Sequence, residues 1–405
     1  MGPLQGIRII DMTTVVMGPF ATQMLGDMGA EVIKVESPEG DVTRQIAPFR
    51  SPGMGALYMN ANRNKQSICL DLKQAAGVEA LLRLLTDADV LVYNVRPQAM
   101  ERLGLSYERV RAHNPRLIYA GVYGFGQDGP YAGKPAYDDL IQGACGLSAL
   151  LARSGDGVPR YAPSALSDRI VALAAVGAIC GALVHRNQAG VGQRVDVPMF
   201  ETMVNFVLSD HLSGLSYEPP LDDGGYARQL SPDRRPYRTR DGYVCTLVYN
   251  DKQWRSFLAA VDRLDLLEDP RFATFAARAA NIDVVYGQLA RLLLERTTAE
   301  WLELLDRADI PSMPMHDLES LLTDPHLVAT GFFQPADHPT EGSMRTMRQP
   351  IRWSETPAEV RRLAPQKGEH GSEILRAAGF RETDIRALVE SGALITPQTA
   401  FEPAT

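Results

Sequence analysis

The side chain best placed for chemistry is the carboxylate of Asp168, which heads a long uncharged segment. Residues 170–184 carry no ionisable side chain other than Cys180. They predict a packed core helix over 168–186, because the run is too short for a membrane span. At the N-terminus of an apolar helix the dipole stabilises negative charge, so we expect Asp168 to stay ionised and to be able to act as a nucleophile. The alternative is that it only caps the helix, the common role of aspartate there.

Cationic and amide side chains border several predicted strands. Because the carboxyl ends of parallel strands meet at one edge of a sheet, these side chains are expected around a common ligand site. Each alone is typical of a solvated loop charge or a helix cap, whereas the group favours an anionic, nucleotide-like ligand. The group comprises Asn60, Asn62, Arg63, Asn64 and Lys65 in one loop, Asn94, Arg96 and Arg102 after a later strand, and Lys134, Tyr137, Asp138 and Asp139 further along.

Other common chemistries lack their motifs. The seven histidines show no metal-ligand spacing, and no serine lies in a GxSxG elbow, so neither a zinc site nor a serine triad is predicted. The first βα turn is followed by a strand that ends in Glu36, but it lacks GxGxxG, which disfavours a bound nicotinamide cofactor. The four cysteines lie far apart and are expected to be buried thiols in a reducing compartment.

Size and charge narrow the class of protein. The chain has 405 residues and a net charge of −8, which predicts two domains and argues against a nucleic-acid binder. A small anionic ligand remains compatible with this charge, because local basic groups decide its binding. The N-terminus shows no basic segment followed by an apolar one, so we expect no signal peptide and a cytoplasmic location.

Strand–helix–strand units repeat over residues 1–200. This pattern predicts an α/β fold with a doubly wound, Rossmann-like large domain and right-handed crossovers. The predicted strands are 7–11, 31–36, 67–72, 90–93, 117–122 and 193–197, and the predicted helices are 20–28, 77–87, 100–113, 138–152 and 168–186.

The repeating strand–helix–strand pattern ends near residue 200. A helix is predicted over 199–215, residues 201–224 are assigned to a linker, and residues 225–325 are predicted to form a small α+β domain. Within it, Asp241-Gly242 between two β-prone runs predicts a hairpin over 237–248. Amphipathic helices are expected at 252–264, 282–296 and 298–308. In the tail, 326–405, a strand is predicted near 348–353 and a last helix over 383–391.

Several ordered motifs resemble the family III CoA-transferases, which include formyl-CoA transferase, carnitine CoA-transferase and α-methylacyl-CoA racemase. The resemblance runs from about residue 4 to the last helix. The motifs are LGDMGAEVIKVE at 25–36, NRNKQSICLDLK at 62–73, NVRP at 94–97, RLG at 102–104, PAYD at 135–138, SD at 167–168, GVGQRVDV at 190–197 and NDKQW at 250–254.

The resemblance implies a CoA thioester as substrate, with no prosthetic group, and Asp168 as the nucleophile. It also implies an interlocked homodimer, in which the tail returns to the large domain and the small domain is inserted. The positions that it implies for binding CoA or substrate are Val15, Val16, Leu72, Asn94, Arg102, Lys134, Tyr137 and Asp138.

The sequence departs from the family pattern at two places. Racemases of the family carry a catalytic histidine where this chain has Tyr137, which disfavours racemisation because a second base is missing. The glycine-run loop of some oxalate-using transferases is replaced by Gly224-Gly225-Tyr226, which places oxalate specificity in doubt. Four arginines follow, at 228, 234, 235 and 238. They either contact the second carboxylate of a dicarboxylic acceptor or are solvated loop charges.

The predicted function is a CoA-transferase that moves CoA from an acyl-CoA donor to a free carboxylic acid through an aspartyl-CoA thioester on Asp168. The alternatives are a racemase or epimerase acting on a 2-methylacyl-CoA, and a non-catalytic CoA-binding protein. The donor and acceptor acids, and the loop that shields the intermediate, cannot be read from the sequence.

Overall fold

A computed structural model describes residues 2–397. The strands are β1 Arg8–Met12, β2 Glu31–Glu36, β3 Lys65–Leu70, β4 Val90–Tyr93, β5 Ile118–Tyr123, β6 Arg194–Pro198, β7 Tyr237–Arg238, β8 Tyr243–Thr246, β9 Ser312–Pro314, β10 Phe333–His338, β11 Gly342–Met347 and β12 Leu394–Ile395. The helices are α1 Met17–Asp27, α2 Ala56–Met59, α3 Ala75–Thr86, α4 Pro97–Arg102, α5 Tyr107–His113, α6 Asp138–Ala144, α7 Leu147–Ser154, α8 Leu166–Ala189, α9 Met199–His211, α10 Ala227–Leu230, α11 Asp251–Ala260, α12 Phe275–Ala280, α13 Ile282–Leu293, α14 Thr298–Arg307, α15 Pro325–Ala329, α16 Gly371–Ala377 and α17 Glu382–Glu390.

The central sheet has seven strands in the order β12-β3-β2-β1-β4-β5-β6. Six of them are parallel, and β12 pairs antiparallel with β3 at one edge. Strands β4 and β5 are buried along their whole length, as expected for a parallel sheet covered on both faces. The predicted α/β class with a parallel sheet is confirmed. The strand order reverses between β1 and β4, where sheets of this type bind ligands.

Several predicted elements have different bounds. The predicted helix 100–113 is two helices, α4 and α5, and the predicted helix 138–152 is also two, α6 and α7. Gly104 at φ 69° and Gly146 at φ 89° lie between the halves, in a left-handed conformation that ends a helix. The predicted strand at 348–353 is wrong, since the pairing ends at Met347 and Pro350 lacks an N–H for a ladder.

The chain folds into two compact units. The first contains residues 2–145, 162–204 and 329–397, and the second contains residues 146–161 and 205–328. In the second unit the predicted hairpin is confirmed, because Tyr237 pairs antiparallel with Val244 across the Asp241-Gly242 turn. Its core is built around Trp254, Phe257 and Trp301. The assignment of these segments to a large domain and an inserted small domain stays a prediction.

Two fully buried ion pairs link β1, β2 and β3 and the segment that follows β2. Lys65 Nζ lies 2.9 Å from Asp11 Oδ2, and Lys34 Nζ lies 3.0 Å from Asp41 Oδ2; all four side chains are inaccessible to solvent. Burial alone would raise the pKa of Asp11, but the ammonium groups of Lys65 and Lys34 outweigh burial and lower it. These pairs therefore fix the ends of β1, β2 and β3 relative to one another.

Replacing Lys65 by methionine should destabilise the first unit strongly. Without the ammonium group, the buried Asp11 carboxylate loses its salt-bridge partner, and removing one member of a buried pair costs about 3–5 kcal/mol of unfolding free energy. Chemical denaturation followed by circular dichroism measures the loss. Lys73→Met is the control. It removes the exposed Lys73–Glu39 pair, and this loss should leave the unfolding free energy nearly unchanged. Equal stability of K65M and wild type would contradict the assigned role of the buried pairs.

Candidate active site

The loop between β1 and α1 is fastened to the end of β4. The Asn94 side chain accepts a hydrogen bond from the Thr14 N–H at 3.0 Å and donates one to the Thr14 carbonyl at 2.7 Å. Lys34 Nζ donates to the preceding carbonyl, that of Thr13, at 2.8 Å. Strands β1 and β4 flank the position where the strand order reverses. These bonds therefore lie at the cleft that opens at this reversal.

Val15, the next residue of the loop, has a strained backbone. Its φ of 71° lies in the left-handed region, which is unfavourable for a β-branched residue and costs about 1–3 kcal/mol. The Val15 N–H donates to Asp41 Oδ1 at 3.2 Å, and the same carboxylate is held by Lys34. The Lys34–Asp41 pair therefore helps to hold an unfavourable conformation at the edge of the cleft. The sequence motif gave no sign of this conformation.

Five of the site residues that the family resemblance implies meet in this cleft, together with Arg96 from the predicted group of cationic and amide side chains. The five are Val15, Asn94, Lys134, Tyr137 and Asp168. The cleft has a volume of about 390 Å³ and lies entirely within the first unit. Its other lining residues are Thr14, Met17, Val95, Arg96, Ala99, Tyr123, Gly124, Pro135, Ala136 and Met199.

Asp168 is not the cap of its helix. Helix α8 begins two residues earlier, at Leu166, with Ala165 in the cap position, so the capping interpretation is wrong. The Asp168 backbone N–H instead donates to Asp138 Oδ1 at 2.9 Å, and the Asp168 side chain is only 9% exposed. A carboxylate from α6 thus satisfies a free N–H in the first turn of α8, which leaves the Asp168 carboxylate available to the cleft.

The expectation that Asp168 stays fully ionised is also wrong. Burial, aided by the negative charge of Asp138 and opposed by Arg169, raises the pKa of Asp168 to about 7. Loss of solvent is the largest cause of this shift. A carboxylate with such a pKa exists in both protonation states near neutral pH and is more basic than an exposed aspartate. Perturbed groups of this kind inside a cleft are typical of functional sites.

The remaining predicted positions lie outside the cleft lining. Val16 is buried in the cap position of α1, Leu72 packs half-buried against the core, and Arg102 is exposed at the end of α4. Asp138 contributes through its bond to Asp168. The roles of these residues in binding CoA stay predictions.

The arginines near the start of the second unit have different surroundings. Arg228 donates to the Tyr286 hydroxyl at 2.9 Å, and Arg235 pairs with Asp233 at 2.9 Å. The other two are exposed. Their proposed contact with an acceptor acid stays untested. Within residues 2–397, no group of three or more His, Cys, Asp or Glu side chains is arranged to hold a metal ion.

Comparison with known proteins finds full-length matches. The model of CoA-transferase family III matches residues 4–371. The succinate–glutarate CoA-transferase of Agrobacterium fabrum is 34% identical, covering 92% of this chain and 95% of that protein. The human succinyl-CoA:glutarate CoA-transferase is 30% identical, covering 98% and 91%. The crystal structure of Rv3272 from Mycobacterium tuberculosis superposes with a TM-score of 0.79 at 30% identity, covering 92% and 98%.

Substituting Asp168 by asparagine should stabilise the protein in a pH-dependent way. The pKa of Asp168 is higher in the folded state than in the unfolded state. The protonated carboxyl group therefore adds most to the unfolding free energy of wild type below the unfolded pKa near 4, and this contribution is lost as pH rises through 7. Asparagine mimics the protonated form, so D168N should gain roughly 3–4 kcal/mol at pH 8 and almost nothing at pH 4. Denaturant unfolding at both pH values measures the gain. The control is Asp139→Asn, at the exposed neighbouring residue, which should show no such pH-dependent gain. A difference in unfolding free energy between D168N and wild type that did not change with pH would refute the raised pKa.

Proposed function

The chain belongs to the family III CoA-transferases, and we propose that it moves CoA from an acyl-CoA donor to a free carboxylic acid through an aspartyl-CoA thioester on Asp168. The observation that carries this mechanism is the buried carboxylate in the cleft, whose pKa is raised to about 7. The enzyme acts in the cytoplasm and uses CoA as substrate, without a prosthetic group.

The transfer takes four acyl-exchange steps. The Asp168 carboxylate attacks the carbonyl carbon of the donor thioester and expels CoA thiolate, which leaves a mixed anhydride. The thiolate attacks the aspartyl carbonyl and releases the donor acid, which gives the aspartyl-CoA thioester. The acceptor carboxylate then attacks this carbonyl and expels the thiolate again. Finally the thiolate attacks the acceptor acyl carbon of the new anhydride, which forms the product and frees Asp168.

The properties of the cleft suit these steps. A desolvated carboxylate with a pKa near 7 is a stronger nucleophile than an exposed aspartate. A CoA thiol with a pKa of roughly 8.5 leaves as thiolate without strong acid assistance. Lys134 offers a cation for the CoA phosphates, and anchoring the nucleotide keeps the thiolate close during both returns.

Helix α1 offers donors for the oxyanions formed at each step. Its first residue, Met17, lines the cleft, and no side chain caps the N-terminus of the helix. The first N–H groups of a helix lack intrahelical acceptors, so they are available to a developing negative charge. The strained Val15 lies two residues before Met17, with Val16 in the cap position between them.

The cleft favours transfer over racemisation. A racemase needs a second proton acceptor opposite the first, and the cleft lining, all of it within the described residues, holds neither a histidine nor a carboxylate besides Asp168. Tyr137 stands where the racemases of the family carry histidine. Racemisation would incorporate solvent deuterium at the α-carbon of an acyl-CoA, and transfer does not require this exchange.

We also propose that the enzyme is an interlocked homodimer. One face of α8 is apolar and uncovered: Leu173 and Val184 are each 58% exposed, and Gly177 and Gly181 lie between them on the same face. By length and composition α8 could cross a membrane, but its opposite face packs against α1 and the sheet. A contiguous exposed apolar face is typical of a protein–protein interface.

Substituting Asp168 by alanine should lower the transfer rate by roughly 10³-fold or more, because no other group forms the covalent intermediate. The assay follows glutaryl-CoA formation from succinyl-CoA and glutarate, and a wider panel of acids then identifies the preferred pair. The CoA affinity of D168A, measured by calorimetry, should stay within a few-fold of that of wild type. The control variant D139N should turn over within a few-fold of the wild-type rate. Turnover of D168A near the wild-type rate would exclude the mechanism.

Substituting Leu173 by glutamate should weaken the homodimer, because the new carboxylate would be buried against the partner's apolar surface. Sedimentation velocity should show a dimer for wild type and monomer or aggregate for L173E. Val284→Glu, which changes an exposed side chain of the second unit, is the matched control and should stay dimeric. A monomeric wild type would contradict the proposal.

A further inference from the structure

We propose that Gln142 is a positioning residue for CoA transfer: its buried carboxamide holds Asp138 against the first turn of α8 and so fixes the direction of the Asp168 carboxylate. The inference rests on the proposed function of Asp168. It gives a role to a residue that does not line the cleft and that no sequence motif singled out.

The Gln142 carboxamide is fully used. The side chain is completely buried. Its Nε2 donates to Asp138 Oδ2 at 2.6 Å and to the Ser164 carbonyl at 3.1 Å, while its Oε1 accepts from the Ala162 N–H at 2.8 Å. A backbone donor faces one end of the amide and oxygen acceptors face the other, so only one orientation of the amide satisfies all three.

These bonds lie where the chain returns to the first unit. Residues 146–161 belong to the second unit, so the chain leaves after Cys145 and comes back at Ala162. Sequence proximity therefore does not hold α6 against the start of α8. Gln142 fastens the returning segment at Ala162 and Ser164, directly before α8 begins at Leu166.

Asp138 is the link between Gln142 and the nucleophile. Asp138 and Gln142 are four residues apart on α6, so their side chains share a face of the helix. One oxygen of Asp138 is held by Gln142, and the other accepts the Asp168 N–H at 2.9 Å. Removing the Gln142 donor frees a half-exposed carboxylate to rotate toward water, which leaves the first turn of α8 without its acceptor.

The same link affects the charge of the nucleophile. The groups that face Asp168 are Asp138 from α6 and Arg169 from its own helix, and Arg96, Lys134, Tyr123 and Tyr137 line the same cleft. The negative charge of Asp138 contributes to the raised pKa of Asp168. If Asp138 moves away, the pKa of Asp168 should fall toward its ordinary value.

The test combines kinetics with a pH profile. Gln142→Met keeps the size of the side chain and removes its hydrogen bonds. It should lower kcat by roughly tenfold to a hundredfold through misalignment of the nucleophile, with KM for acyl-CoA changed less than threefold, and should move the acidic limb of the kcat profile to lower pH. Asn114→Leu is the matched control, because it removes a buried amide that bonds the carbonyls of Leu85 and Ala88, away from the cleft. It should destabilise the fold without moving the limb.

A double-mutant cycle tests whether Gln142 acts through Asp138. Asp138→Ala should lower kcat in the wild-type background and add little to Q142M. If Q142M does not fold, Gln142→Glu carries the kcat comparison alone at a pH where the new carboxylate is ionised, because it keeps the acceptor for the Ala162 N–H and removes the donor to Asp138. Additive losses, or a folded Q142M with wild-type kcat and pH profile, would overturn the inference. D168A assayed in parallel separates the cases: an active D168A means that the proposed function fails, whereas an inactive D168A with unchanged Q142M refutes Gln142 alone.

Discussion

The hydrogen bond from the Asp168 backbone N–H to the Asp138 carboxylate is the interaction on which the candidate site depends. It stabilises the first turn of α8 without using the Asp168 side chain. That side chain is therefore free to face the cleft while it is almost completely removed from water. The two carboxylates are close enough for one to raise the pKa of the other. Burial is the main cause of the raised pKa, and the contact with Asp138 both adds to it and holds the first turn of α8.

The central sheet positions the residues of the cleft that face Asp168. The reversal of strand order between β1 and β4 opens a cleft, and Asn94 bonds across it to Thr14. Buried lysine–aspartate pairs link β1, β2 and β3, and Asp41 of one pair also accepts the N–H of the strained Val15. Buried charges of this kind need partners in place, so these pairs oppose separation of the strands.

The sequence predicted those features that depend on local patterns. Apolar runs such as 90–93 are buried strands, and Asp241-Gly242 forms a hairpin turn. Glycine inside an apolar helix pattern is ambiguous, so the breaks at Gly104 and Gly146 were missed. The cap and the raised pKa of Asp168 were also missed, because they depend on tertiary burial and on Asp138, thirty residues away in the sequence. The family motifs indicated Val15, Asn94 and Tyr137, but not the left-handed backbone at Val15 or the contacts of Gln142.

The central claim is that Asp168 carries the acyl group and then CoA as a covalent intermediate. Rapid quenching of the enzyme with succinyl-CoA, followed by proteolysis and mass spectrometry, tests it directly. The account predicts a CoA adduct on the peptide that contains Asp168, converted by hydroxylamine to a hydroxamate at that residue and absent from D168A. An adduct on a different residue, or steady turnover with no adduct at any quench time, would contradict the account.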